Sequence, residues 1–189
     1  MLITKVKVGK VTNLSEARYC AGMGVDFLSF PTSSIDPKMY KEITGWVAGP
    51  KFGIEIGTKD ISLIPEYKAD FIDVSADQIF HFTEGENLMV NLAAGEWQRE
   101  RPSLLQSKAK ILFVELEISS LDESVVKTVK EIAVNFEILL RPSEEINLEK
   151  ILKLPIAGLS LEGNAETKPG LKEYPLSEIL EKLDTDETD

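Results

Sequence analysis

The sequence predicts a single (β/α)8 barrel, a TIM barrel, on three observations. Short apolar, β-rich runs recur eight times at roughly even intervals. Most of them are followed by a segment of helical period with recognisable start and stop residues, the pattern of parallel strands joined by crossover helices. The chain has 189 residues, 43% hydrophobic and 28% charged, which suits one globular domain with a substantial core and leaves little for a second. The barrel is expected over residues 1–183, followed by a solvated, disordered acidic tail at 184–189. Because the length falls slightly below the usual range for this fold, a doubly wound open sheet is the alternative architecture.

In chain order the strands are expected at 3–8, 25–30, 51–56, 69–74, 88–92, 111–118, 136–140 and 156–161. Asn13 with Glu16 gives a capping-box-like start to the first helix, and Gly22 or Gly24 its left-handed stop. Asp36-Pro37 opens the second as cap and first-turn proline, with Met39, Ile43, Trp46 and Val47 as the buried stripe. Ser120 or Asp122 opens a later helix whose inward face is Val125, Val126, Val129, Ile132 and Ala133. The last helix runs from about Pro175 to Leu183. The crossovers after the third and fourth strands, near 58–68 and 76–87, have room for only a turn or two of helix, so the barrel is a trimmed one.

The charge narrows the partners. At −11 the chain repels both a nucleic-acid backbone and an anionic membrane surface. No apolar run is long enough for a membrane span, and the N-terminus lacks a signal-peptide h-region, so a cytoplasmic location is expected. A single cysteine, Cys20, forms no internal disulfide, and with only His81 beside it no zinc cluster is expected. No cofactor is expected, and the partner is expected to be a small molecule. Cys20, Met23, Trp46 and Trp97 read as packing residues, and His81 as a surface loop residue.

Strand alternation sorts the remaining side chains between helix layer and interior. Gly53, Glu55 and Gly57 face in on the third strand, as do Asp73 and Ser75 on the fourth and Glu115 and Glu117 on the sixth. Lys7, Gly9, Ser29, Asn91, Glu137, Arg141, Ser160 and Glu162 follow the same rule. Buried charge is costly unless it is paired or used. Hence Lys7 and Arg141 either neutralise Glu55, Asp73 and Glu115 in a structural ion-pair network, or the set forms a ligand site at the C-terminal ends of the strands. A divalent ion held by Glu55, Asp73 and Glu115 is a further possibility.

Two segments carry a family resemblance. Lys7-Val-Gly-Lys-Val-Thr-Asn-Leu-Ser-Glu-Ala-Arg, followed by Ala21-Gly-Met-Gly-Val-Asp-Phe-Leu-Ser-Phe, resembles K-I-C-G-I-T-N-x-x-D-A and A-G-A-D-x-x-G-F of the phosphoribosylanthranilate isomerases. Leu159-Ser-Leu-Glu-Gly-Asn-Ala-Glu-Thr-Lys-Pro-Gly-Leu-Lys resembles that family's V-D-V-S-S-G-V-E-x-x-P-G-x-K. The resemblance implies a tryptophan-biosynthesis barrel that opens a phosphorylated ribosylamine to a ketone, an Amadori rearrangement, with one general base and one general acid. The family's base, a cysteine, falls on Gly9, and its neighbouring glycine on Lys10. The acid, an aspartate of the sixth strand, has Glu115 as the nearest carboxylate. An arginine of the second loop falls near Ser33 or Ser34. The phosphate would sit against backbone N–H groups after the seventh and eighth strands. There Gly163-Asn164 keeps a flexible turn, while Arg141-Pro142-Ser143 replaces a Gly-Gly: proline removes a donor and Arg141 offers a bidentate one. The motif residues therefore lead to a degenerate paralogue that binds a small, possibly phosphorylated metabolite. The alternative is a working isomerase with Glu55 or Asp73 as its base.

Overall fold

The computed structural model describes residues 1–57, 61–142, 147–163 and 175–184. Asn164, Ser143 and the tail beyond Asp184 lie outside them. Eight parallel strands close into a barrel in sequence order: β1 (Lys5–Gly9), β2 (Phe27–Pro31), β3 (Lys51–Glu55), β4 (Phe71–Ser75), β5 (Asn87–Ala93), β6 (Lys110–Ile118), β7 (Ile138–Pro142) and β8 (Gly158–Glu162). The helices are α1 (Leu14–Gly22), α2 (Pro37–Thr44), α3 (Ile64–Tyr67), α4 (Trp97–Leu105), α5 (Glu123–Ile132), α6 (Leu148–Ile151) and α7 (Pro175–Leu183). Among the described residues the crossover after β3 holds a 3-10 turn and α3, and that after β4 a 3-10 turn at Ala76–His81. The trimmed barrel read from the sequence is the observed fold.

The chain divides into two compact units, 1–70 with 161–189 and 71–160. In the first, β1, β2 and β3 pair in parallel, with Lys7 opposite Phe27 and Pro31 opposite Glu55. Asn13 caps α1 by accepting from the Glu16 amide at 2.9 Å, and Glu16 closes the turn by accepting from Thr12 N at 3.2 Å. Gly24, at φ +81°, lets the chain leave α1. Asn13→Ala is expected to destabilise the protein by about 1 kcal/mol, read as a lower urea midpoint at unchanged slope. The two chain segments of this unit are joined at their ends. The Ile3 amide donates to the Leu183 carbonyl at 2.9 Å, Leu2 bridges Asp184, and the terminal ammonium lies 2.8 Å from the Asp184 carboxylate.

The expected stripe of α2 needs correction. Ile43 and Val47 are buried, but Met39 is 44% and Trp46 72% exposed, and Tyr40 is buried instead. Aromatic contacts set this face: the Tyr40 ring meets those of Phe30 and Tyr67 edge-on at 5.4 Å, and the Tyr67 hydroxyl donates to the Ile35 carbonyl. Burial, with Asp70 nearby, pushes the Tyr40 phenol well above its ordinary range.

In the second unit β4 to β7 run in order, followed by the first residues of β8, with Asn91 opposite Glu115 and Glu117 opposite Arg141. Asp122, not Ser120, caps α5: its carboxylate accepts from the Ser124 and Val125 amides, while Ser120 donates to its other oxygen. The Ser124 hydroxyl, which donates to the same oxygen as those amides at 2.6 Å, then the Val125 amide and the Ser120 hydroxyl, hold the Asp122 carboxyl at about 2. Trp97 is 1% exposed, and its indole donates to Glu131. Glu137, expected to face inward, is exposed one residue ahead of β7, where its carbonyl accepts from Val114. Val126, Ala133 and Met23 are only half-buried, whereas Cys20 is fully buried and His81 is on the surface. Among the described residues no helix is long and apolar enough to cross a membrane.

Candidate active site

In a (β/α)8 barrel chemistry gathers at the C-terminal ends of the strands. In the first unit those ends meet around Gly9. Glu55, the last residue of β3, is half-buried, and its Oε1 accepts from the Lys10 amide at 2.5 Å and from the Ser29 hydroxyl at 2.8 Å. A Cβ built on Gly9 would lie 2.8 Å from that same oxygen, closer than side chains pack, so the Glu55 carboxylate occupies the space a side chain at position 9 would need. Lys10 adopts φ +55°, uncommon for a residue with a Cβ, and its ammonium lies 2.7 Å from Glu162. Lys7 is buried on β1 at 2% exposure.

The turn after β8 is closely engaged. The Gly163 amide donates to the Gly9 carbonyl at 2.7 Å, and a Cβ on Gly163 would collide with the Glu16 carboxylate. The amide that could face an anion is directed to the Gly9 carbonyl instead, and the neighbouring carboxylates, Glu16 and Glu162, have the wrong sign for one.

In the second unit Glu115 is 1% exposed, and its Oε2 accepts from the Arg141 guanidinium and the Ser160 hydroxyl, each at 3.0 Å. Arg141 is 27% exposed and also approaches Glu117, at 4.0 Å, the long limit of an ion pair. Glu117 is on the rim, 66% exposed. Asp73 is 3% exposed on β4. Among the described residues no group of three or more His, Cys, Asp or Glu side chains is placed to hold a metal ion.

Beside the ends of β4 to β6 lies a cleft of about 310 Å³ lined by Ser75, Asp77, Asn91, Glu96, Arg99 and Glu117. Arg99 is held by Glu96 at 2.7 Å and Glu100 at 2.6 Å. The Ala93 amide, then Arg99, keep the Glu96 carboxyl below its usual range, and Glu100 and Glu96 raise Arg99. Strand alternation did not point to Glu96 or Arg99, because both lie on the approach to α4 and within it. The Glu96/Arg99 spacing of three on a helical start was the available signal.

No family model matches this sequence, and no curated protein does. Solved structures do match. Phosphoribosyl anthranilate isomerase of Thermus thermophilus is 17% identical, with a TM-score of 0.64 over 95% of this chain and 96% of its own. That of Thermococcus kodakaraensis is 14% identical at a TM-score of 0.64, covering 96% of this chain and 98% of its own. The chain has a phosphoribosylanthranilate isomerase-like fold. Triosephosphate isomerase of Bartonella henselae, at 13% identity and a TM-score of 0.61 over 85% of this chain and 92% of its own, shares the architecture too. At such identities the likeness is one of fold, and function has to be argued from the side chains.

Proposed function

We propose that this isomerase-like barrel has given up efficient isomerisation and binds a small metabolite in the cytoplasm. The observation that carries this reading is the Arg141–Glu115 pair. Glu115 is the nearest carboxylate to the expected general acid, yet an arginine and a serine donate to one of its oxygens. The guanidinium and the hydroxyl take up one of the two oxygens through which this carboxyl would deliver a proton. The same contact occupies Arg141, the residue that would receive a phosphate. Pro142 has no amide to offer after β7, and the Gly163 amide is directed to Gly9. A ligand for this site therefore depends less on phosphate contacts than the family's substrate does.

Purified protein is expected to turn over phosphoribosylanthranilate with kcat/KM below about 10⁴ M⁻¹ s⁻¹, the floor of ordinary enzymes, while the compound or its product raises the thermal midpoint by binding. A value above that floor overturns the reading in favour of a working isomerase with another base. Absence of any midpoint shift removes the binding role for these two compounds.

A further inference from the structure

The trimmed crossover after β4 leaves an opening in the helix layer. Where a full crossover helix would pack beside α4, the chain has the 3-10 turn Ala76–His81, and between that turn and α4 lies a cleft of about 360 Å³, a size that takes a small ligand. No strand residue lines it, so it is separate from the strand ends. Its walls are both aromatic and hydrogen-bonding. Phe82 is buried, whereas Phe80 is 77% exposed, with the His81 ring centred 4.0 Å from its own. A large exposed aromatic side chain in a concavity offers a flat stacking face to another ring. Around it stand Thr83, Ser103, Gln106 and Lys108, whose side chains make no hydrogen bond or ion pair among the described residues. One Asp77 oxygen accepts from the Ser75 hydroxyl, and the other is open among those residues. Asp77 lies two residues beyond β4 and Lys108 two residues before β6, toward opposite ends of these parallel strands.

We propose that this cleft is a second binding site, for a planar heteroaromatic base carried on a neutral sugar, a purine nucleoside. The site goes beyond the metabolite-binding role of the strand ends and does not depend on it. The Phe80 ring supplies the stacking face. The Gln106 carboxamide presents a donor and an acceptor side by side, the pair that matches the amino and ring-nitrogen edge of adenine, and Lys108 donates to a further ring nitrogen. At the other end the open Asp77 oxygen accepts from a sugar diol, and the Thr83 and Ser103 hydroxyls donate or accept as needed. Charge decides between a nucleoside and its phosphate. Asp77 and Lys108 cancel across the lining, and the Glu86 carboxylate, which accepts from the Thr83 amide at 2.7 Å, adds a negative charge beside it. A phosphate dianion would meet these carboxylates, and a net charge of −11, with one lysine in the lining to receive it.

The experiment titrates the whole chain with adenosine, read by calorimetry and by amide chemical shifts, with adenosine 5′-monophosphate and ribose as the other arms. Adenosine is expected to bind with a Kd below about 1 mM, with the largest shifts confined to 76–83 and 103–108. Phe80→Ala should weaken it about tenfold, the loss of one stacking partner, and Gln106→Ala about fivefold, the worth of one hydrogen bond. Phe80→Tyr keeps the stacking face and should bind within about threefold of the wild type. Because Phe80 is exposed, the thermal midpoint of both Phe80 variants should stay within about 2 °C of the wild type. Ribose should not bind, and the monophosphate should bind at least about tenfold more weakly than adenosine. A Kd for adenosine above about 1 mM, shifts centred elsewhere, or unchanged affinity in Phe80→Ala overturns the site. Monophosphate binding as tight as that of adenosine overturns the assignment to a neutral ligand.

Discussion

Replacing Arg141 with methionine will lower the stability of this protein by about 2–4 kcal/mol. Glu115 is 1% exposed, and its charge is held by Arg141 and by the Ser160 hydroxyl. Removing one member of a buried ion pair costs about 3–5 kcal/mol when both are fully buried. The lower figure allows for Arg141, which remains 27% exposed and partly screened by water. Methionine preserves much of the apolar stem, so the loss reports the charge rather than a cavity. Urea unfolding checks the value, and the double variant Arg141→Met with Glu115→Gln should recover most of it, because the amide has no charge to leave stranded and can still accept from Ser160. A loss under about 0.5 kcal/mol, the range of surface substitutions, would mean that the pair does not hold the second unit together.

Gly9→Cys, which places a thiol where the family resemblance puts its base, will not restore isomerisation. Its kcat/KM for phosphoribosylanthranilate is expected to stay below about 10⁴ M⁻¹ s⁻¹, the floor of ordinary enzymes. The Cβ would lie 2.8 Å from the Glu55 oxygen, so the carboxylate has to swing out and give up the Lys10 amide and the Ser29 hydroxyl. The obstacle is the end of a flexible side chain, so the fold should survive and the effect should appear in rate rather than in stability. Combining Gly9→Cys with Glu55→Ala gives the thiol room, and that pair should exceed Gly9→Cys alone in the same assay. A rise in turnover for the single substitution would show that Glu55 does not stand in the thiol's way.

The architecture was readable because strands buried on both faces appear as apolar runs that need no partner to be recognised. All eight runs became strands, with ends within about two residues of those expected, ordinary scatter for such boundaries. The start of α2 at Asp36-Pro37 and the span of α7 were written in their cap and period residues. Side-chain partners were less legible. Alternation put Glu55 and Glu115 on the interior, but the bonds that decide their roles come from Lys10, Ser29, Arg141 and Ser160, residues remote in sequence. Lys10 gave a faint signal, since the resemblance places a glycine at that position and glycine there marks a positive φ that the lysine retains. The exposure of Met39 and Trp46 was out of reach of periodicity, because Tyr40 won the inward position through its contacts with Phe30 and Tyr67.

The bonds that join Leu2 and Ile3 to Leu183 and Asp184 make the first unit discontinuous in the chain. On the ribosome, β1 to β3 emerge early yet meet the end of β8 and α7 only after the whole of 71–160 has been made, a delay of several seconds at roughly 5–20 residues per second. During that interval the Gly9 carbonyl lacks the Gly163 amide, and β1 presents an open edge. The contiguous second unit faces no such wait. Vectorial synthesis should therefore order it first and complete the amino-terminal strands last.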